Sequence, residues 1–182
     1  MYPTRRPIAS HDMPKLQPLI IPIKGKHVIR QFILWRRSKR HWKLLENWSY
    51  PLPEGPTIVI PAGYEFDGAS IPKILWPLLN PVGLLLIPSL IHDFAYEYGM
   101  LWALPDHQED AATYVEFQKG APQHYWDTLF REVAGQVNGF FFINYSAWVV
   151  LRFGGWWAWS RYRKRNATPP RPDPSPFMSL VS

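Results

Sequence analysis

Residues Pro88 to Met100 form an apolar stretch of helical character, and His92-Asp93-Phe94-Ala95-Tyr96 stands in its middle. A histidine and a carboxylate set among Leu90, Ile91, Phe94 and Ala95 constrain the fold severely. Burying such groups without partners costs several kcal/mol, so the fold must bring them hydrogen bonds, an opposite charge or a cation. Residues three and four apart share a helix face, so His92 and Tyr96 point the same way. Asp93 lies about 100° round from His92. A second helix is expected over residues 106–118, joined to the first by a short turn and running antiparallel to it. It would carry Asp110 to the imidazole or the phenol. A carboxylate that fixes a histidine, beside a second carboxylate free to hold a cation, recurs in hydrolytic sites. His92, Asp110 and Tyr96 are therefore the catalytic candidates, and Asp93 is a candidate metal ligand.

The ends of the chain bound how much of it can join a core. Residues 1–22 contain Pro3, Pro7, Pro14, Pro18 and Pro22, a density that blocks helix and central strand. An extended N-terminal arm is expected over 1–24. From Arg161 onward the chain is basic and then rich in proline, with too little apolar surface to fold alone. A tail is expected over 161–182. What lies between, 25–160, suits one domain. Its first part holds three β-like runs, His27 to Trp35, His41 to Tyr50 and Thr57 to Phe66, the last bending at Pro61 and Gly63. The basic cluster Arg36 to Arg40 reads as the turn between the first two. A short helix is expected over Ile71 to Leu79, and the long apolar segment Gln123 to Phe153 reads as helical, with Gly135 and Gly139 as points of interruption. The expected fold is α+β: a small antiparallel sheet followed by a helical bundle, with extended N- and C-terminal arms.

Asp67-Gly68-Ala69-Ser70-Ile71-Pro72 joins the last β-like run to the first helix. One reading is a turn, with Gly68 at positive φ and Asp67 or Ser70 capping the helix. The other places Asp67 at the His92 site as a second metal ligand. A Ser70, His92, Asp110 triad is conceivable, but the string lacks the nucleophile elbow of the α/β-hydrolases. His107 falls on nearly the same helical face as Asp110, as a further nitrogen donor or an exposed residue at a helix start. No organic cofactor is implied, and a divalent metal is the cofactor that such nitrogen and oxygen donors would take.

The 182 residues include no cysteine, which excludes disulfides, thiolate zinc sites and cysteine nucleophiles. The formal charge of +6 favours acidic partners, yet neither basic run, Arg36 to Lys43 or Arg161 to Arg165, sits in a nucleic-acid-binding motif. Specific nucleic-acid recognition is not expected. Ten tryptophans suit a heavy core or a surface that meets something amphipathic. Gly139 to Leu151 is strongly apolar, but its uninterrupted part is shorter than the roughly 20 residues of a membrane span. A buried helix is expected, with an interfacial helix as the second reading: Trp156, Trp157 and Trp159 at the headgroups and Arg161, Arg163, Lys164 and Arg165 outside. The first residues show no apolar secretory core, so no secretory signal is expected.

The order Pro61-Ala62-Gly63-Tyr64, Asp67 to Pro72, Trp76, Pro81, Gly83, His92 to Tyr96, Asp110 and Trp148 to Gly154 resembles a family of phage and prophage proteins that carries only a domain-of-unknown-function label. That resemblance covers about Ile58 to Trp159 and implies a bacteriophage-related origin without an activity. A more local resemblance links His92-Asp93-x-x-Tyr96 and the later Asp110 to the active-site helices of secreted phospholipases A2. It implies His92 as general base on a water, Asp93 as calcium ligand, Asp110 as the group orienting His92, and Tyr96 hydrogen-bonded to it. The cysteines of that family are absent here, and Pro72 to Trp76 hold no glycine where its calcium loop would lie. Three functions follow as expectations: a structural or accessory virion protein, tail-associated, whose arms contact other particle proteins in an oligomeric assembly; a phospholipase A2-like, metal-assisted hydrolase; and a phage protein that binds a host factor or a membrane surface.

Overall fold

The computed structural model describes residues 13–19, 27, 42–66, 85–105 and 114–173. Within them the fold is α+β, with two small antiparallel sheets and three helices. The first sheet has the order β1 (Leu16–Pro18), β2 (Trp42–Leu44), β5 (Glu65–Phe66). The second has the order β3 (Trp48–Pro51), β4 (Thr57–Ile60), β6 (Leu101–Ala103), β7 (Val115–Phe117). The helices are α1 (Leu86–Tyr98), α2 (Gln123–Val137) and α3 (Phe141–Arg165).

The second and third expected β-runs each divide between the two sheets. His41 to Tyr50 breaks at Leu45 to Asn47, where the Asn47 side chain accepts a hydrogen bond from the Ala62 backbone N–H at 2.9 Å. Thr57 to Phe66 bends, as expected, at Pro61 and Gly63, the latter at φ +82°. Both breaks let the chain leave one sheet and enter the other, so two short sheets replace the single one expected. The run His27 to Trp35 and the helix at Ile71 to Leu79 lie outside the described residues, His27 apart. Within the N-terminal arm, Leu16–Pro18 pairs with β2 at the edge of its sheet, the position that tolerates a strand proline.

α1 starts two residues before the expected Pro88, which sits in the first turn where its missing N–H is not needed. It stops at Gly99, whose φ of +70° gives a left-handed cap with its N–H on Ala95 O at 2.7 Å. That reversal sends Met100 out of the helix and Leu101–Ala103 into the sheet as β6, against β4 (Ile58↔Ala103). The helix expected over 106–118 is not what its described end forms. Val115–Phe117 is a strand paired with β6 (Trp102↔Glu116), because the open edge of β6 supplies a ladder that local helix propensity does not. Residues 106–113 lie outside the described ones.

The long segment from Gln123 separates into α2 and α3 at Asn138 and Gly139 (φ +66°), while Gly135 stays inside α2. Asn138 Oδ1 holds the break by accepting from Phe140 N at 2.8 Å and from Asn144 Nδ2 at 2.9 Å. α3 continues to Arg165, past the expected start of the tail. Residues beyond it lie on the chain's own body: Trp102 Nε1 donates to Pro170 O at 2.8 Å, and Asn47 Nδ2 to Asp173 O at 2.7 Å. The core sets Leu44, Ile58 and Ile60 of the sheets against Leu90, Ile91 and Phe94 of α1 and Trp126 and Val133 of α2. Leu85, Phe130, Ala134 and Ala147 form a smaller cluster where the three helices meet. That helical junction positions the site.

Candidate active site

α1 presents Ser89, His92, Asp93 and Tyr96 at spacings of three and four, hence along one face. α2 answers with Gln123, Asp127 and Phe130 at the same spacing. Packing of the two helices drives the Asp127 carboxylate, with no solvent exposure, between them. His92 Nε2 donates to Asp127 Oδ1 at 3.2 Å, and the Tyr96 hydroxyl donates to the same oxygen at 2.5 Å. Gln123 Nε2 reaches Asp127 Oδ2 at 3.4 Å, and Arg152 Nη1 of α3 stands 4.0 Å from it. The imidazole is held between the Tyr96 ring, 4.0 Å between centroids, and the edge of Phe130 at 5.6 Å. Gly155 of α3 lies over this network: a Cβ there would fall 2.7 Å from the Tyr96 hydroxyl.

Of the residues expected at the site, the structure describes His92, Asp93 and Tyr96. His92 and Tyr96 come together, with Asp93 at the edge, its Oδ1 3.9 Å from His92 Nδ1. Asp110 and Asp67 lie outside the described residues, as do Ser70 and His107. The carboxylate that orients His92 is Asp127, which sequence reasoning passed over inside an apolar segment. A signal was present: Asp127 stands between Trp126 and Leu129-Phe130 on the buried face of α2. An acid on such a face needs a donor, as His92 does an acceptor.

Burial alone pulls the His92 pKa down, but the hydrogen bonds and charges of Asp127 and Asp93 outweigh it and leave the imidazole more basic than usual. Burial, then the hydrogen bond to Asp127, pushes the Tyr96 phenol far above its ordinary value, so it remains a donor at all working pH. With Nε2–H committed to Asp127, Nδ1 is the ring nitrogen that can exchange its proton, and when protonated it points that proton to Asp93 Oδ1 at 3.9 Å. A cavity of about 10 Å³ lies among Ser89, His92, Asp93, Phe130 and the α3 residues Ala147, Val150 and Leu151. That is about the room of one water. The Ser89 hydroxyl is buried with no hydrogen-bond partner among the described residues.

Asp93 also borders a larger cleft of about 470 Å³, formed with Tyr64, Glu97, Arg161, Tyr162 and Arg165. Burial raises the Glu97 carboxyl above its usual range, opposed by Arg165 and a hydrogen bond from Tyr64. Burial likewise raises the neighbouring Tyr98 phenol to about 12. Among the described residues no three His, Asp or Glu side chains gather as metal ligands.

The family model described as a protein of unknown function (DUF1353) matches residues 42–148, more than half of the chain. The chain belongs to the DUF1353 family. The DUF1353 segment contains both sheets apart from β1, all of α1 and α2, and the start of α3, so the His92–Asp127 pair falls inside it. No curated protein and no solved structure significantly resembles this DUF1353 chain.

Proposed function

We propose that the chain is a hydrolase of ester bonds in which His92 is the general base and Asp127 its orienting carboxylate. The observation that carries this reading is the buried His92–Asp127 hydrogen bond on Nε2, which leaves Nδ1, 3.9 Å from Asp93, as the exchangeable nitrogen of a ring that lines a water-sized cavity. In the proposed step, a water between Nδ1 and the substrate loses its proton to Nδ1 as its oxygen attacks the ester carbonyl. The imidazolium is stabilised by Asp127 and Asp93, then returns the proton to the alcohol oxygen as the acyl–oxygen bond breaks. Carboxylate and alcohol leave. Tyr96 and Gln123 hold Asp127 in place and touch no reacting atom. The cleft beside Asp93 carries Glu65 and Glu97 as well as Arg161 and Arg165, and phospholipids enter the test through the resemblance of His92-Asp93-x-x-Tyr96 to the phospholipase A2 helices.

The test incubates the full chain with phospholipid vesicles and with short-chain esters, with and without calcium. Release of fatty acid or alcohol by the native protein, lost in His92→Gln while the far-ultraviolet spectrum is kept, supports the reading. Folded native protein that releases nothing under any condition sinks it, and the His92 network is then a buried strut. The phage particle suggested by the sequence resemblance is the proposed setting, and a particle component can carry such a site. Mass spectrometry of purified particles checks that setting separately.

A further inference from the structure

α3 is apolar on two sides. Its inner face, with Ala147, Leu151 and Trp159, packs on α1 and α2. Its outer face faces solvent: Phe142 is 82 % exposed, Phe153 81 %, Trp156 66 % and Trp157 64 %. On the helical repeat these four, with Tyr145 and Val149, fall within about 120° of one another, opposite the packed face. They run about 22 Å along the helix at 1.5 Å per residue. A helix apolar all round is ordinarily covered all round. Among the described residues nothing of this chain covers the outer side.

Charge selects the covering medium. The 25 residues of α3 include Arg152, Arg161, Arg163, Lys164 and Arg165 and no carboxylate. The cations concentrate at the C-terminal end, where Arg161 stacks on the Trp157 ring at 4.9 Å. Arg163 and Arg165 turn inward to α1, on the carbonyls of Tyr96 and Glu97 and on the Glu97 carboxylate. Lys164 shares the aromatic face and is exposed. A second copy of the chain would bring more of the same charge, whereas an anionic bilayer brings the opposite. Large aromatic rings at a level surface, flanked by lysine and arginine, match the boundary between headgroups and acyl chains. No helix among the described residues is long and apolar enough to cross a membrane, so the contact is with the surface.

We infer that the outer face of α3 docks the protein in the plane of an anionic lipid bilayer, with Phe142, Phe153, Trp156 and Trp157 inserted and Lys164 at the phosphates. This corrects the orientation read from sequence: Trp159 turns inward, against Tyr96 at 5.2 Å, and Arg163 and Arg165 turn to α1, so none of the three is part of the docking face. The inference does not rest on the chemistry of His92.

The test is flotation of the full chain with vesicles of phosphatidylcholine alone and of phosphatidylcholine with phosphatidylglycerol. The native protein is expected to float with the anionic vesicles, less in high salt, with its tryptophan emission moved to shorter wavelength. Phe153→Ser/Trp156→Ser, which alters exposed side chains, is expected to keep the native melting temperature and to bind about tenfold more weakly or worse. Three results overturn the inference: native protein that stays off anionic vesicles, a double variant that floats as well as native, or light scattering that shows a native dimer split by the double variant without vesicle binding.

Discussion

Asp127→Asn tests whether the buried carboxylate organises the site. The native carboxylate offers acceptor lone pairs only, and it takes donors from His92 at 3.2 Å, Tyr96 at 2.5 Å and Gln123 at 3.4 Å with no solvent exposure. The amide keeps the volume but replaces one acceptor oxygen with an N–H₂ group. One donor among the three then faces another donor. A hydrogen bond to a charged group contributes about 1.5–3 kcal/mol, so the substitution should cost about 2–3 kcal/mol of stability. The pH dependence changes too. The folded-state pKa of His92 is raised above 6.5, burial being outweighed by Asp127 and Asp93. A group raised in this way contributes stability that is complete below about pH 6.5 and is lost as the pH climbs through the folded value. For one proton the slope in that window cannot exceed about 1.4 kcal/mol per pH unit. Removal of the Asp127 charge should lower the His92 pKa and flatten that slope. Urea unfolding across the pH range, with histidine ring resonances followed by NMR and His92 assigned from His92→Gln, measures both effects. An unchanged urea midpoint together with an unchanged His92 titration would falsify the assignment of Asp127 as the orienting group.

Two further substitutions probe the scaffold. Gly155→Ala puts a methyl 2.7 Å from the Tyr96 hydroxyl and 3.2 Å from Gln123 Nε2, both held on Asp127. The crowding should cost about 1–3 kcal/mol against a helix-propensity gain of up to about 1, and the net loss should appear in denaturant unfolding alongside a shifted His92 resonance. Asn138→Ala removes the oxygen that accepts from Phe140 N and Asn144 Nδ2 at the break between α2 and α3. With Asn144 itself buried, a loss of about 1–2 kcal/mol is expected in thermal or urea unfolding, with the His92 titration unmoved.

Much of the helical half was legible because its signals are local. Gly139 and Pro88 act within a turn of where they stand, and the apolar spacing in α1 and α2 reports a face without reference to the rest of the chain; the expected helix runs through Gly99, which instead caps α1. The sheets were less legible. β2 and β3 are contiguous in sequence and belong to different sheets, and β7 becomes a strand because β6 offers its edge. Neither choice is encoded in the residues that make it.

The chain by itself determined that His92 and Tyr96 share a face, and that polar groups in so apolar a helix must find partners. Spacing along one helix sets those facts, since 3.6 residues make a turn wherever the helix lies. Which carboxylate came to them was decided by the tertiary structure. Asp127 lies 35 residues from His92, and it arrives because α2 packs against α1 across Phe94, Trp126 and Val133. A periodic pattern shows that a face will be buried and not against what. The partner of a buried charge is therefore known when the helices are in register and not before.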